Sequence, residues 1–158
     1  MEHTLLPHVI VMQSPGMGHF IPVTEFTKRL VLDNGFSATL IIPTETNSPF
    51  EALKLALTSL PSAINPIFLP PVDLSDLPND ANIMIHIFST VHRSLPSLSD
   101  AIRTITTTHR VVSLVVDLFC TDAIKIAGEF NINAYIFSSS FAMDLSSIYH
   151  SPKLGLLL

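Results

Sequence analysis

His8-Val9-Ile10-Val11-Met12-Gln13-Ser14-Pro15-Gly16-Met17-Gly18-His19 is the stretch that decides the fold. It opens with a short apolar run rich in β-branched residues, bounded by Pro7 before and by Ser14-Pro15-Gly16 after. That run predicts a strand buried on both faces, as in parallel sheets. Gly16-Met17-Gly18 then reads as a tight loop. A helix follows over about His19–Asp33, with Pro22 placed in its first turn and Val23, Phe26, Thr27, Leu30 and Val31 at helical spacing. Asn34-Gly35 is a helix stop. Ser37-Ala38-Thr39-Leu40-Ile41-Ile42, halted by Pro43, is the next strand. Strand, helix and strand together take about 35 residues, the size of one βαβ crossover.

Working outward, the same alternation continues. A helix is expected over 49–60 and a short strand at Ile67-Phe68-Leu69. A proline- and aspartate-rich loop spans Pro70–Pro78. A long helical stretch runs over about 82–107, which Pro96 should kink or split. Val111-Val112-Ser113-Leu114-Val115-Val116 is the strongest strand signal, ended by Asp117. A helix over about 121–130, a strand at Ala134–Phe137, a serine turn at 138–140 and a last helix over 141–149 complete the pattern. Strands alternating with helices predict an α/β fold, a Rossmann-like parallel sheet with helices on both faces.

Composition limits the function classes. The chain has 158 residues, 47% of them apolar and only 13% charged, with a net charge of −5. The charged fraction is about half the usual ~25%, so a disordered chain is excluded. The acidic balance leaves no basic patch for nucleic acid. One cysteine rules out an internal disulfide framework and a Cys-based zinc site. The N-terminal residues lack the basic and apolar regions of a signal peptide, and no apolar run reaches the ~18 residues of a membrane span. A soluble cytoplasmic domain is therefore expected. The low charge also suggests a surface that another body covers.

In open α/β sheets ligands bind beyond the carboxyl ends of the strands. The residues placed there are Ser14, Gly16, Gly18 and His19 after the first strand, then Asp117, Leu118, Phe119 and Cys120, then Ser138, Ser139 and Ser140. A histidine beside a carboxylate makes an oriented base. Each residue alone has a plainer role. The glycines could serve a turn, His19 could be an ordinary first-turn residue, and Asp117 could cap the helix that follows it. A dinucleotide fingerprint is absent, since its third glycine would fall at Ile21 and Ile42-Pro43-Thr44 stands where the ribose-binding acid belongs. His86 and His92 fall on the long helix, facing solvent or lining a groove. No metal-binding spacing occurs.

Taken jointly, residues 8–22, Phe68-Leu69-Pro70-Pro71-Val72-Asp73-Leu74, Leu114–Asp122, Tyr135-Ile136-Phe137 and His150-Ser151-Pro152-Lys153-Leu154 resemble plant family-1 UDP-glycosyltransferases, in the branch of the hydroquinone (arbutin-type) glucosyltransferases. The resemblance covers about residues 6–154. It implies the N-terminal, acceptor-binding domain of a GT-B fold, spanning 1–158, with the UDP-sugar domain outside this stretch, because the family's chains are much longer and their Trp-containing donor signature has no counterpart here. The implied reaction is inverting glucosyl transfer from UDP-glucose to a phenolic or other small-molecule hydroxyl, with the UDP-sugar as co-substrate and neither metal nor other cofactor. His19 takes the place of the family's base and Asp117 that of its partner. Ser14, Gly16 and Gly18 would approach the sugar-phosphate, Ser139 the sugar, and His86, Leu118 and Phe119 the acceptor. The covered surface would be the cleft face, through which an isolated domain would self-associate. The alternatives are a non-catalytic acceptor-binding or regulatory module and a dinucleotide enzyme, the last disfavoured by the glycine pattern.

Overall fold

The structure, a computed structural model, describes residues 6–46 and 51–139. Five strands form one parallel sheet in the order β3-β2-β1-β4-β5. The elements in chain order are β1 (Pro7–Met12), α1 (Met17–Asn34), β2 (Ser37–Ile42), α2 (Glu51–Thr58), β3 (Ile64–Phe68), α3 (Ile83–Thr108), β4 (Arg110–Asp117), α4 (Ala123–Glu129) and β5 (Asn133–Phe137). From β1 the chain steps outward through β2 to β3, then crosses back to β4 on the other side of β1. The gap between β1 and β4 is therefore the point where strand order reverses.

Two apolar layers hold helices to the two faces. On one, Val9, Val11, Leu40 and Ile42 of the sheet pack with Phe20, Val23 and Val31 of α1 and Leu53 of α2. On the other, Ile10, Met12, Leu114 and Val116 pack with Leu98, Ile102 and Ile105 of α3 and Ala123 and Ala127 of α4. Alternate residues of β1 thus serve opposite layers, and both are buried, as the unbroken apolar run requires.

Register levels the functional rim. Met12 pairs with Ile41 of β2 and with Val116 of β4, and Asp117 pairs with Phe137 of β5. The residues just after β1 and at the end of β4 therefore stand side by side.

Several elements differ from expectation for identifiable reasons. α1 begins at Met17, with Gly16 at its N-cap, so Pro22 falls beyond the first turn. Gly16 has φ 109, a conformation that favours glycine. Gly35, with φ 70, ends the helix in the left-handed form, its N–H bonded to the Leu30 carbonyl. α3 runs unbroken through Pro96. Leu98 and Ile102 anchor it on both carboxyl-side turns, and Thr90 and Ser94 bond back to the carbonyls of His86 and Thr90 at 2.7 Å each. β3 starts at Ile64 and includes Pro66, which the outer strand of a sheet tolerates. A 3-10 turn at Leu118–Cys120 delays α4 to Ala123. The expected helix over 141–149 and the start of the helix expected from 49 lie outside the described residues.

Candidate functional site

Ser14, His19 and Asp117 meet where β1 and β4 diverge. Asp117, 3% exposed, closes β4. Its Oδ1 accepts from the backbone N of Phe119 at 3.3 Å, capping the 3-10 turn. Its Oδ2 accepts from Ser14 Oγ at 3.0 Å. The same oxygen lies 3.0 Å from His19 Nδ1. That contact is at charge-pair distance but off the line of a straight hydrogen bond, and Nδ1 has no other partner among the described residues. Asp117 thus caps the 3-10 turn with one oxygen and faces a histidine with the other.

The helix start delivers His19. Gly16 turns the chain with its positive φ, and its carbonyl accepts from the N–H groups of His19 and Phe20 at 3.2 and 3.0 Å. Phe20, 1% exposed, anchors the first turn in the core. The imidazole keeps a quarter of its surface open, with a side-chain exposure of 25%. Phe119 meets it edge-on, ring centres 5.0 Å apart, and Phe88 of α3 meets Phe119 in turn at 5.6 Å. Gly18 has open space where a Cβ would stand.

Beside His19 opens a cavity of about 490 Å³. It is lined by Gln13, Gly16, Met17, Gly18 and His19 after β1, by Thr44, Glu45 and Thr46 after β2, and by Phe68, Ile83 and Ile87. A second cavity, of about 480 Å³, lies between α1 and β4–β5 against Phe26, Leu30, Tyr135 and Phe137, away from the histidine–carboxylate pair.

The remaining expected site residues fall at different depths. Leu118 and Phe119 are half-buried in the 3-10 turn and do not line the cavity, though Phe119 touches the imidazole. His86 does not line the cavity. It stands behind Glu45, its Nδ1 3.8 Å from Glu45 Oε2, while Glu45 Oε1 accepts from Thr90 Oγ1 at 3.0 Å. Ser139 is exposed, just past β5 on the same rim. Gln13, Glu45 and Phe88 were not singled out by sequence reasoning. The polar Gln13 at the end of a buried run was the one visible signal among them.

Cys120 is not a nucleophile here: burial, and then the charge of Asp117, push its thiol well above the usual range. Among the described residues no group of three or more His, Cys, Asp or Glu side chains is placed to hold a metal, and no helix is long and apolar enough to cross a membrane.

No family model matches the chain. A hydroquinone glucosyltransferase of Rauvolfia serpentina is 49% identical over 154 residues, which are 98% of this chain and 32% of the relative. A solved complex of a Polygonum tinctorium UDP-glucosyltransferase capable of glucosylating indoxyl with 3,4-dichloroaniline superposes with a TM-score of 0.91 at 46% identity, over 98% of this chain and 35% of that one. This stretch belongs to the plant family-1 UDP-glycosyltransferases. Its fold is that of the N-terminal part of the GT-B enzymes of that family. A Phytolacca americana UDP-glycosyltransferase, solved with UDP-2-fluoro-glucose and pterostilbene, agrees with a TM-score of 0.92 at 37% identity, covering all of this chain and 36% of that one. The chain spans about a third of the length of the curated relatives it matches.

Proposed function

We propose that residues 1–158 form the acceptor-binding side of an inverting glucosyl transfer, in which UDP-glucose gives its sugar to a phenolic or similar small-molecule hydroxyl. The observation that carries this reading is the His19–Asp117 pair at 3.0 Å, opening beside an apolar cavity of about 490 Å³ at the strand-order reversal. The names of relatives agree: one is a hydroquinone glucosyltransferase, another glucosylates indoxyl.

In this mechanism the free Nε2 of His19 takes the proton of the acceptor hydroxyl as its oxygen attacks the anomeric carbon. The bond to UDP breaks and the configuration inverts. Asp117 fixes the tautomer and balances the imidazolium that forms. Ser14 holds the carboxylate in place through its 3.0 Å bond. The N-terminus of α1, with Gly16 and Gly18 around it, favours the diphosphate through its free N–H groups. Ser139, at the rim, is assigned to the sugar, and Phe119 and Leu118 to the acceptor's outer edge. His86 acts on the acceptor wall through Glu45. The chemistry uses base catalysis and a sugar-nucleotide co-substrate, without a metal or redox cofactor. Donor binding falls mainly to the part of the family's chain beyond these residues, so the stretch alone turns over little or nothing. A cytoplasmic setting suits its single, buried, free cysteine.

The deciding experiment is phenol glucosylation by the full-length protein carrying His19→Ala. Near-complete loss of transfer with UDP affinity retained supports the assignment. Retention of most activity removes His19 as the base.

A further inference from the structure

We infer that Glu45 sets the charge of the acceptor site, so that phenols bearing a carboxylate are rejected in favour of uncharged ones of the same shape. This rests on the reading of His19 as base and of the neighbouring cavity as the acceptor site.

Glu45 stands just past the end of β2 and lines the cavity beside Thr44 and Thr46. Its side chain is 37% exposed, so the carboxylate is open to what enters. Oε1 lies 3.0 Å from the hydroxyl of Thr90, a fully buried residue of α3. Oε2 lies 3.8 Å from Nδ1 of His86, one turn earlier on that helix. The Thr90 contact ties the segment after β2 to α3. A glutamine would make the same tie, because an amide oxygen also accepts a hydrogen bond. The negative charge is therefore more than the fold needs.

The charge acts in the cavity, where little offsets it. No lysine or arginine among the described residues lines the cavity or pairs with Glu45. His86 offsets the charge only when protonated. His19 also lines the cavity, but Asp117 stands 3.0 Å from it. When His19 takes the acceptor proton, Asp117 balances the imidazolium and the charge of Glu45 remains. The space is small, about 490 Å³, so an acceptor inside it sits within a screening length, ~8–10 Å, of Glu45 without having to touch it. Much of the lining is apolar, Met17, Phe68, Ile83 and Ile87 among it. An anionic group entering loses water and meets a like charge, whereas an uncharged group of the same shape faces neither penalty. Repulsion of this kind discriminates between molecules that fit equally well.

The test is glucosylation by the full-length enzyme of two phenols of near-equal size, 4-(4-hydroxyphenyl)butan-2-one, which is uncharged, and 3-(4-hydroxyphenyl)propanoate, which is an anion. It is run at about pH 8, where an ordinary histidine is neutral. The readout is the ratio of kcat/KM for the two, in which their similar intrinsic reactivities cancel. The unaltered enzyme should favour the ketone. Glu45→Gln keeps an oxygen for Thr90 without the charge, and should shift the ratio about three- to tenfold toward the propanoate; Glu45→Lys should shift it further. Added salt should narrow the ratio of the unaltered enzyme more than that of Glu45→Gln, which a role in shape alone would not do. A ratio near one in the unaltered enzyme, or the same ratio in all three proteins, overturns the inference while leaving the base and the acceptor site standing. So does an equal shift in Glu45→Gln and Glu45→Lys that salt leaves unchanged, which marks lost shape. Failure of the unaltered enzyme to glucosylate either compound overturns both this inference and the reading of the cavity.

Discussion

Ser14 donates its hydroxyl hydrogen to Asp117 across a buried 3.0 Å bond, on the same carboxylate oxygen that faces His19. The serine comes from the loop after β1 and the aspartate from the end of β4, so only the parallel pairing of those strands lets them meet. The carboxylate is held on both oxygens, by Ser14 on Oδ2 and by the Phe119 N–H on Oδ1. In the proposed mechanism, a carboxylate restrained in this way needs little rearrangement when the imidazole charges.

Replacing the charge while keeping the shape separates the roles of Asp117. In Asp117→Asn the side-chain oxygen can still cap the 3-10 turn, but the imidazolium loses its counter-charge. The full-length enzyme should lose on the order of a thousandfold or more in kcat. KM for the acceptor should change little. Ser14→Ala leaves the charge and removes one of its supports, which should lower stability by about 1–3 kcal/mol and kcat by a smaller factor than Asp117→Asn. Steady-state kinetics and thermal melts on the two variants check the order. Equal losses in kcat would mean that the charge is not what matters.

The two glycines of the loop should respond oppositely to alanine. Gly16 has φ 109, where an L side chain is strained, so Gly16→Ala should cost about 1–3 kcal/mol and displace His19, whose N–H bonds to the Gly16 carbonyl. A Cβ on Gly18 would touch nothing within 4 Å. Gly18→Ala should therefore fold at least as well as the parent, helped by higher helix propensity. If the donor approaches the start of α1, the added methyl still lowers glucosyl transfer. A Gly18→Ala enzyme with full activity would move the diphosphate elsewhere.

Much of this arrangement could be read before the structure. The β-branched runs at 8–12, 37–42 and 111–116, each stopped by a turn residue or by Asp117, are strands in the sheet, and the β1–β4 rim brings His19 to Asp117 as the alternation implied. Proline misled in two places, in opposite senses. Pro66 masked the first half of a strand whose second half, Ile67-Phe68, was read, and Pro96 suggested a break that the packing of Leu98 and Ile102 overrides. Glu45 and Phe88 were hidden for a different reason. Their roles depend on which residues of distant segments face them, as with Glu45 between His86 and Thr90, and no local pattern encodes that.

Acid should unfold the chain earlier than its carboxylates alone require. His8 sits inside the sheet, bonded to Ser37 Oγ and Thr39 Oγ1 at 2.8 and 2.9 Å, with the His109 ring 4.1 Å away. Burial, and then the neighbouring His109, lower its pKa from 6.5 to about 4. Between those values the unfolded chain binds the proton and the folded chain does not. Stability is therefore full above pH 6.5 and is lost as pH falls from there to about 4, where the folded state also protonates. A shift of this size corresponds to at most about 3 kcal/mol. Urea midpoints across that range should drop steeply, and His8→Gln should flatten the slope. An unchanged slope in His8→Gln would place the acid sensitivity elsewhere.

The last prediction concerns the rim itself. Ile83, Ile85 and Phe88, at the start of α3, are 69%, 47% and 49% exposed; Ile83 lines the cavity and Phe88 meets Phe119. Exposed apolar side chains close together in this way mark a surface that is normally covered. The purified 158-residue chain should therefore self-associate, and its apparent mass in size-exclusion chromatography should rise with concentration. Ile85→Lys together with Phe88→Lys should restore a monomer without lowering the melting temperature, because neither side chain belongs to the two packed layers. The same fractions, incubated with UDP-glucose and a phenol, should form no measurable glucoside. Proximity of bound donor and acceptor contributes about 7–11 kcal/mol to well-oriented reactions, and the proposed function gives these residues chiefly the acceptor. A concentration-independent monomer would remove the rim as an association surface. Enzyme-like turnover by that monomer would place the donor site within the Ser14–Gly18 loop and its neighbours, and the division of labour proposed for this stretch would fail.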